Sequence, residues 1–380
     1  MAAVGLVVGV AAVLLLRGRG GFSISGDRPG SRVVHGPVVH LAAVVSSYHV
    51  VYRVETGPRK RLTVTTDRLW VRRPFDSREE NLAGAPPGRR VLSTAISAFG
   101  RTKRDVGGSQ PAIIAVPPAP AVGDLRIGNS LPDAIAHRAA LRRERRVVAH
   151  HACQVYRVGG PPIAGVLQPY EPKSRDFVDF CVDRDGVLLE QMTMAGRAVV
   201  RRQVATSVQV DLPLPDSLFA VTGDVAPVKS GGGSIRPLDP ASRPPGTFWE
   251  LAVPPAGFTR LGRYAVVPSQ PVNFQLGHEN ARTGGVADVW QRGSDIIVVD
   301  RGGTLGGAPP FSSEPTARRV DLGPLGSGEL IVGLVTSQVR VSMAGGHYVS
   351  VAGTVVPDLL VSTARQLTQV PGGQLVYLDR

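Results

Sequence analysis

The stretch from Arg146 to Val221 decides the fold class. It contains RVVAHHACQVYRVGG (146–160), YEPKSRDFVDFCVDRDGVLLEQMTMAG (170–196) and RAVVRRQVATSVQV (197–210). Runs rich in β-branched and aromatic residues, bounded by glycine and charged turns, are typical of antiparallel strands. Asp185-Gly186 stands between two such runs and is a strong short-range hairpin signal. The sequence therefore predicts an antiparallel meander. With one possible disulfide and no obvious catalytic motif in the chain, this meander favours a binding scaffold over an enzyme.

The chain's two cysteines, Cys153 and Cys181, both lie in this meander. Two cysteines in an exported chain most often form a structural bridge. Closing a loop of about 29 residues would stabilise the fold by about 3–4 kcal/mol in the chain-entropy model. We therefore predict a structural disulfide, and two free buried thiols are the alternative.

Metal sites near the meander are weakly supported. His150, His151 and Cys153 do not have the spacing of a structural zinc site. Asp179, Asp183 and Asp185 with Gly186 resemble part of a calcium loop. An EF-hand needs an acidic residue two positions before Asp183, where Cys181 stands, so a hairpin turn is favoured. We predict no metal, no cofactor and no catalytic residue.

Composition restricts the partners. The chain has a formal net charge of +13, and residues 1–150 hold 23 Lys/Arg against 10 Asp/Glu. Aromatic residues make up only 5%, and no zinc-finger, RNA-recognition or helix-turn-helix signature is present, so we expect no nucleic-acid partner. Anionic headgroups or an acidic protein would account for the basic half as well as nucleic acid would, and a solvated arginine-rich face is the favoured interpretation. Glu79-Glu80 is interpreted as part of a solvated, arginine-rich loop, not as an acid/base pair.

The N-terminal residues 1–21 contain the apolar run AAVGLVVGVAAVLLL. Fifteen helical residues span about 22 Å, less than the ~30 Å hydrocarbon core of a bilayer. Neither a basic region before the run nor a nearby small-residue cleavage site marks it as a typical signal peptide. We interpret it as a signal sequence or a short anchor, with the rest of the chain on the extracytoplasmic face of the cell membrane.

The remaining chain divides into a linker (22–37), a first domain (38–225), a Gly/Ser/Pro linker (226–246) that includes Ser230-Gly-Gly-Gly-Ser234, and a second domain (247–380). The first domain has two predicted helices, Val38–Ser47 and Ser130–Arg142, the latter with Ser130 as N-cap. Before the meander, strands are predicted at Tyr48–Glu55, Arg61–Arg73, Val91–Phe99 and Ala112–Val116.

The second domain begins with the short run Phe248–Leu251. Val286–Val299 reads as a hairpin that turns near Gly293-Ser294, and further strands are predicted at Arg319–Val335, Gln338–Ser342 and Tyr348–Ala352. Thr354–Leu367 reads as a closing helix. Pro357 suits its first turn, and Leu360, Ala364 and Leu367 form an apolar stripe.

These features resemble a known family pattern. A helix, antiparallel strands, a second helix, then C-x-V-Y-R-V and F-C-V-D-x-D-G-V-L-L-E are similar to the LolA/LolB-like half-barrel. The ending with Val339–Val341, Gly345-Gly346, Val349–Val351, Gly353 and Pro357 resembles the C-terminal domain of MucB/RseB-type regulators of extracytoplasmic sigma factors. The resemblance covers roughly residues 38–367 and implies an α+β protein: a LolA-like antiparallel β half-barrel with covering helices, plus a smaller C-terminal α+β domain.

The resemblance also implies a function. Such a protein would regulate a sigma/anti-sigma pathway by binding an anti-sigma factor or another single-pass membrane protein, and its concave face would suit a lipid or lipoprotein. Tyr52, Phe180 and Met192 are the candidate residues of that ligand groove, although residues of these types more often belong to the core. The first alternative is a lipid or lipoprotein carrier without a signalling role. The second is a cell-envelope enzyme, which would contain buried titratable groups with perturbed pKa values.

Overall fold

The computed structural model describes residues 30–37, 39, 45–57, 62–83, 90–99, 101–107, 112–115, 135–136, 140–159, 176–222, 233–268, 272–273, 280–281, 285–303, 317–332, 337–344 and 347–378. The apolar segment 1–21 lies outside these ranges. Within them, no helix combines the length and apolar character needed to cross a membrane.

The chain separates into two compact units. The first comprises residues 1–97, 104–111 and 121–220, and the second comprises residues 98–103, 112–120 and 221–380. Both are built from antiparallel strands, and helix is scarce in the described part of the chain, so the β-rich half of the fold prediction is confirmed.

Twelve strands among the described residues form one sheet, in the order β1-β8-β9-β10-β11-β12-β2-β3-β4-β5-β6-β7. Their bounds are β1 Ser31–Val34, β2 Ser47–Thr56, β3 Thr63–Arg72, β4 Asp76–Ala83, β5 Arg90–Ala98, β6 Arg101–Val106, β7 Ala112–Ala115, β8 Ala140–Val148, β9 His151–Gly159, β10 Phe177–Asp183, β11 Leu188–Ala195 and β12 Ala198–Val210. A 3₁₀ turn follows at Asp216–Phe219.

A second sheet among the described residues has eight strands, in the order β13-β15-β18-β19-β23-β22-β21-β20, and two-stranded pairs join β14 to β24 and β16 to β17. The bounds are β13 Gly233–Leu238, β14 Thr247–Leu251, β15 Thr259–Pro268, β16 Val272–Asn273, β17 Asn280–Ala281, β18 Gly285–Arg292, β19 Asp295–Gly303, β20 Ala317–Asp321, β21 Ser327–Ile331, β22 Ser337–Ser342, β23 His347–Gly353 and β24 Leu367–Pro371. A 3₁₀ turn lies at Gly323–Leu325 and one α-helix, α1, at Pro357–Arg365.

Local sequence signals placed most strands correctly. The predicted meander is β8 to β12, and the Asp185-Gly186 hairpin joins β10 to β11 with Gly186 at φ 76°. That left-handed conformation favours glycine, which has no Cβ to clash with the backbone. The predicted hairpin around Gly293 joins β18 to β19 and is also confirmed.

The closing helix is confirmed as α1. Pro357 lies in its first turn, where the missing backbone N–H leaves no intrahelical bond unmade. Leu360 and Ala364 are buried on one face, and Leu367 is buried at the start of β24. This face packs against β22 and β23, so the apolar stripe fixes how the helix docks.

Both predicted linkers are wrong in part. Ser31–Val34, within the linker 22–37, is β1 and pairs with β8. Gly233–Leu238, within the linker 226–246, is β13 and pairs with β15. Each is an edge strand of its sheet. Edge strands tolerate polar residues and proline, such as Pro237. Composition alone suggests a flexible linker in both segments. It misses these strands because their pairing partners lie far away in the sequence.

The predicted helices of the first domain are mostly outside the described residues. In Ser130–Arg142, Ile135 and Ala136 are helical, but the prediction is wrong from Ala140 onward because β8 begins there and pairs with β9. In Val38–Ser47, the described residues Val39 and Val45–Ser47 are not helical, and Ser47 begins β2. Pairing with a neighbouring strand outweighs the helical spacing in both places.

Candidate binding surface

The β10–β11 hairpin is closed by its own aspartate. The Asp183 carboxylate accepts hydrogen bonds from the backbone N–H groups of Asp185 (3.0 Å) and Val187 (2.9 Å). Asp183 is buried, and short side chains that bond to nearby backbone stabilise tight turns. The aspartate therefore has a structural role in the turn. Among the described residues, no group of three or more His, Cys, Asp or Glu side chains is arranged to hold a metal ion.

Cys153 on β9 and Cys181 on β10 are joined by a disulfide bond. In the register, Cys153 lies opposite Asp183 and Cys181 lies opposite Val155, so the bridge crosses diagonally between adjacent strands. Both cysteines are buried in a core cluster that also contains Tyr52. The disulfide therefore ties the middle of the meander to the core of the first unit.

The three candidate groove residues do not share one face of the sheet. Phe180 pairs with Gln191, whereas Met192 pairs with Asp179, so Phe180 and Met192 occupy neighbouring rows. Side chains in neighbouring rows point to opposite faces. Phe180 and Met192 therefore cannot line the same surface, and their grouping in one groove is wrong.

Tyr52 and Phe180 lie on the same face. Tyr52 pairs with Asp67, whose carboxylate is 3.6 Å from Arg201, and Arg201 pairs with Thr193. Thr193 is two residues after Gln191, the register partner of Phe180. The Tyr52 hydroxyl donates to the carbonyl of Leu188 at 2.8 Å, and both aromatic side chains are buried. Both side chains therefore pack as core residues on this face and present little apolar surface to a ligand.

Met192 lies instead on the face that carries buried ion pairs. Glu190, which is 2% exposed, accepts hydrogen bonds from Arg146 (2.8 Å) and Arg202 (2.9 Å). Ser31 of β1 also donates to Glu190 at 2.8 Å, which ties the first strand to the meander. Burial alone would raise the pKa of Glu190, but the two guanidinium groups outweigh it and lower that pKa.

A second ion pair adjoins Met192. The Arg157 guanidinium makes two 2.7 Å hydrogen bonds to the Asp179 carboxylate, and its carbon lies 3.7 Å from the centre of the Phe177 ring. A forked guanidinium–carboxylate contact and a cation–π contact both fix the arginine side chain. We assign this face a structural role, because its charges are matched within the sheet.

The opposite face carries a polar cluster, which we call the β3–β4 polar patch: Asp67, Glu79, Asn81 and Arg201. The Asn81 amide donates to the buried Asp67 carboxylate, and Glu79 lies two residues before Asn81 on the same face of β4. Arg201 reaches Asp67 from β12. Two acids, an amide and a guanidinium therefore meet on the face that carries Tyr52 and Phe180.

The acids of the β3–β4 polar patch have perturbed pKa values. Burial, followed by the negative charge of Asp67, raises the pKa of Glu79 to about 7. Burial also raises the pKa of Asp67, against the opposing effects of Arg201 and Asn81. Buried titratable groups with perturbed pKa values are what the cell-envelope enzyme alternative predicts. They are equally consistent with a ligand-binding site.

The interpretation of Glu79-Glu80 as a solvated loop is therefore wrong. Both residues lie in β4, where alternation sends Glu79 to the patch and Glu80 to the other face. Glu80 accepts a 2.7 Å hydrogen bond from Arg78. The available signal in the sequence was the alternation of Arg78, Glu80 and Leu82, which have the two-residue spacing of a strand. The many arginines nearby favoured the interpretation as a solvated loop instead.

The second unit contains its own buried charge cluster. Asp288 on β18 accepts hydrogen bonds from Arg263 at 2.8 and 3.0 Å, lies 2.8 Å from a nitrogen of Arg301, and also binds Arg260. Burial opposes ionisation of Asp288, but Arg301, Arg263 and Arg260 outweigh it and lower its pKa to about 2. The cluster joins neighbouring strands of the second sheet, and we assign it a structural role.

No family model matches the sequence, and no curated protein matches it significantly. Among solved structures, the chain is similar to the MucA/MucB complex of Pseudomonas aeruginosa, with 16% identity, a TM-score of 0.30, and coverage of 86% of this chain and 94% of that one. The chain is also similar to MucB in complex with MucA(peri), with 17% identity, a TM-score of 0.27, and coverage of 86% of this chain and 94% of that one. A LolA-superfamily protein from Nitrosomonas europaea is similar with 10% identity and a TM-score of 0.23, and the match covers 48% of this chain and 93% of that one. The families named from the sequence motifs are thus found among the similar solved structures.

Proposed function

We propose that this chain is an extracytoplasmic, membrane-associated binding protein that regulates a sigma/anti-sigma pathway by contact with the anti-sigma factor. One observation carries the proposal: a disulfide-linked β meander is followed by a second β-rich unit in which a strand, Gly353 and α1 follow one another near the end of the described chain, before β24. This is the order of the MucB/RseB-type pattern in the sequence. The motif C-x-V-Y-R-V lies on β9, and F-C-V-D-x-D-G-V-L-L-E spans the β10–β11 hairpin.

The disulfide supports the proposed compartment. Disulfides persist outside the cytoplasm and are rare where thiol-reducing systems operate. Cys153 and Cys181 are both at most 1% exposed, so the disulfide between them offers little accessible surface for a redox partner. A structural bridge in an exported protein accounts for the pair, and the apolar residues 1–21 would hold or deliver the chain at the membrane.

Protein contact, and not chemistry, is the proposed activity. Most buried charges in the described residues are matched within the sheets, as Glu190 and Asp288 show. One exception is the β3–β4 polar patch, on the face that carries Tyr52 and Phe180. We propose that this face, without Met192, is where a lipid or lipoprotein signal would bind.

The test is affinity capture of tagged full-length protein from its native membrane, with mass identification and an untagged strain as control. Recovery of one single-pass membrane protein with a cytoplasmic sigma-binding domain supports the proposal. Deletion of the gene should then change transcription from promoters of that sigma factor. Recovery of lipids or acylated proteins alone, with unchanged transcription, would reject the regulator in favour of the carrier.

A further inference from the structure

The strand β20 forms one edge of the eight-stranded sheet of the second unit. It spans Ala317–Asp321, is the last strand in the order of that sheet, and pairs with β21 alone among the described strands. Its register with β21 runs without a shift, so the strand is regular along its length. An edge of this kind presents a row of unpaired backbone N–H and C=O groups and can accept a further strand.

The hydrogen bonds at the end of β20 show which backbone groups face outward. The Leu322 N–H donates to the Gly326 carbonyl at 2.8 Å, and these two residues continue the register between β20 and β21. In an antiparallel pair, successive residues point their backbone groups alternately toward and away from the partner strand. The N–H and C=O groups of Arg319 and Asp321 therefore face away from β21. In agreement, the outward carbonyl of Asp321 accepts a hydrogen bond from the Arg365 side chain at 3.0 Å.

The exposed side chains on this edge carry opposite charges. Arg319 and Asp321 are both exposed, and they lie on the same face of β20 because they are two residues apart. Among the described residues neither side chain is in an ion pair, and the Asp321 carboxylate accepts a hydrogen bond from the Gly323 N–H at 3.1 Å. Edge strands are often protected from pairing by lysine or proline, and β20 contains neither. Its two charges therefore select a partner strand of matching charge instead of repelling every strand.

A second β20 strand has the matching charges. When two copies of β20 pair in antiparallel fashion about a two-fold axis at Val320, Arg319 of each copy lies opposite Asp321 of the other. Opposite charges directly across from each other stabilise a strand pair, whereas an axis at Arg319 would oppose like charges.

The backbone groups fit the same arrangement. Arg319 and Asp321 are the residues whose N–H and C=O groups face outward, so each opposed pair can exchange two hydrogen bonds. A carbonyl oxygen has two lone pairs, so the Asp321 carbonyl can accept from the second strand as well as from Arg365. The two Val320 side chains meet on the other face of the joined sheet.

From these observations we infer that the β20 edge binds the β20 edge of a second copy of this chain, so that the two eight-stranded sheets join into one continuous sheet. Each copy contributes five strand residues, which makes the contact small, and we expect a Kd on the order of 0.1 mM. This inference does not depend on the proposed anti-sigma partner, because it concerns only the second unit and a copy of it.

Disulfide crosslinking of full-length Val320→Cys tests the position of the two-fold axis. Cys153 and Cys181 are bonded to each other, so the introduced thiol is the only free one in the chain. The two copies of position 320 would form a non-hydrogen-bonded pair with Cα atoms about 4.5 Å apart, a separation that a disulfide bridges. A mild oxidant should therefore convert this variant to a covalent dimer on a non-reducing gel.

Ser327→Cys is the matched control for crosslinking. Ser327 is exposed, but it lies on β21, one strand away from the joined edge. This variant should remain monomeric under the same oxidation. The inference is overturned if Val320→Cys crosslinks no more than Ser327→Cys does.

A charge exchange tests the pairing itself, with sedimentation equilibrium of the full-length protein in a neutral detergent as the measurement. Arg319→Asp places two acids opposite each other at both contacts and should weaken the dimer by about tenfold. The double variant Arg319→Asp/Asp321→Arg restores opposite charges across the axis and should recover the wild-type Kd. A wild type that stays monomeric up to about 1 mM, or a double variant that dimerises no more tightly than Arg319→Asp, overturns the inference. Equal dimerisation by the wild type and Arg319→Asp would place the contact elsewhere in the chain and also overturns it.

Discussion

Replacing Asp288 by asparagine should destabilise the second unit strongly. The carboxylate lies among Arg260, Arg263 and Arg301, and the Arg263 side chain is fully buried. Asparagine removes the negative charge and turns an amide toward cations. Removing one partner of a buried ion pair costs about 3–5 kcal/mol, because the remaining charge stays desolvated.

The same carboxylate gives an independent magnitude from its titration. Its pKa falls from 3.8 to about 2 on folding, which corresponds to about 2 kcal/mol. A depressed carboxyl pKa stabilises the fold above the unfolded pKa, and that contribution is lost as the pH falls through the folded pKa. The wild type should therefore lose about 2 kcal/mol between about pH 4 and pH 2, and Asp288→Asn should lack this component.

Tryptophan fluorescence isolates the second unit. The chain has three tryptophans, Trp70 in the first unit and Trp249 and Trp290 in the second. In a Trp70→Phe background, thermal and urea unfolding followed by emission reports the second unit alone. The Asp288→Asn melt should be lower by about 6–20 °C, from 2–4 °C per kcal/mol for a unit of this size.

A matched control is Asp295→Asn. Asp295 contacts the partly exposed Arg292 at 3.5 Å, and exposed pairs contribute about 0–1 kcal/mol. The reasoning is refuted if Asp288→Asn costs no more than Asp295→Asn, or if it keeps the wild-type loss of stability below pH 4. Either result would mean that the arginines around Asp288 are solvated or paired in another way.

Three further predictions concern single features. The double variant Cys153→Ala/Cys181→Ala should lower the free energy of unfolding by about 3–4 kcal/mol, because the bridge closes a sequence separation of 28 residues. Urea denaturation with and without reductant checks this, and reductant should leave the stability of the variant unchanged. Glu190→Gln should cost about 3–5 kcal/mol by urea denaturation, and a cost no larger than that of Glu80→Gln would contradict it. Gly353→Ala should cost about 1–3 kcal/mol or more, because the added Cβ would meet a backbone carbonyl of β19; an unchanged thermal midpoint would refute this close packing.

The strands and hairpins of this protein were predictable because their signals are local. Alternating side chains around Tyr52 and the Asp185-Gly186 turn depend on neighbours within a few residues. The same holds for α1, where Pro357 and an apolar stripe act within one helix. Local conformational preference and the final fold agree at these places.

The candidate binding surface was less predictable, because it depends on register. Tyr52, Phe180 and Met192 look equivalent in the sequence, yet pairing of β10 with β11 sends Phe180 and Met192 to opposite faces. The arginine-rich sequence around Glu79 suggests a solvated loop, but β4 pairs with β3 and β5, and Glu79 is half-buried there. A shift of one residue in either pairing would exchange the two faces.

The sequence by itself determined the β-rich class, the order of the main strands, the two hairpins and the closing helix, since these follow from side-chain period and turn chemistry. Only the tertiary structure decided that Ser31–Val34 and Gly233–Leu238 are strands, because their backbone hydrogen bonds are made to partners distant in the chain. It also decided which charges are buried together, as at Asp67 and Glu79. Burial and charge proximity are properties of the packed sheet, and no local pattern records them.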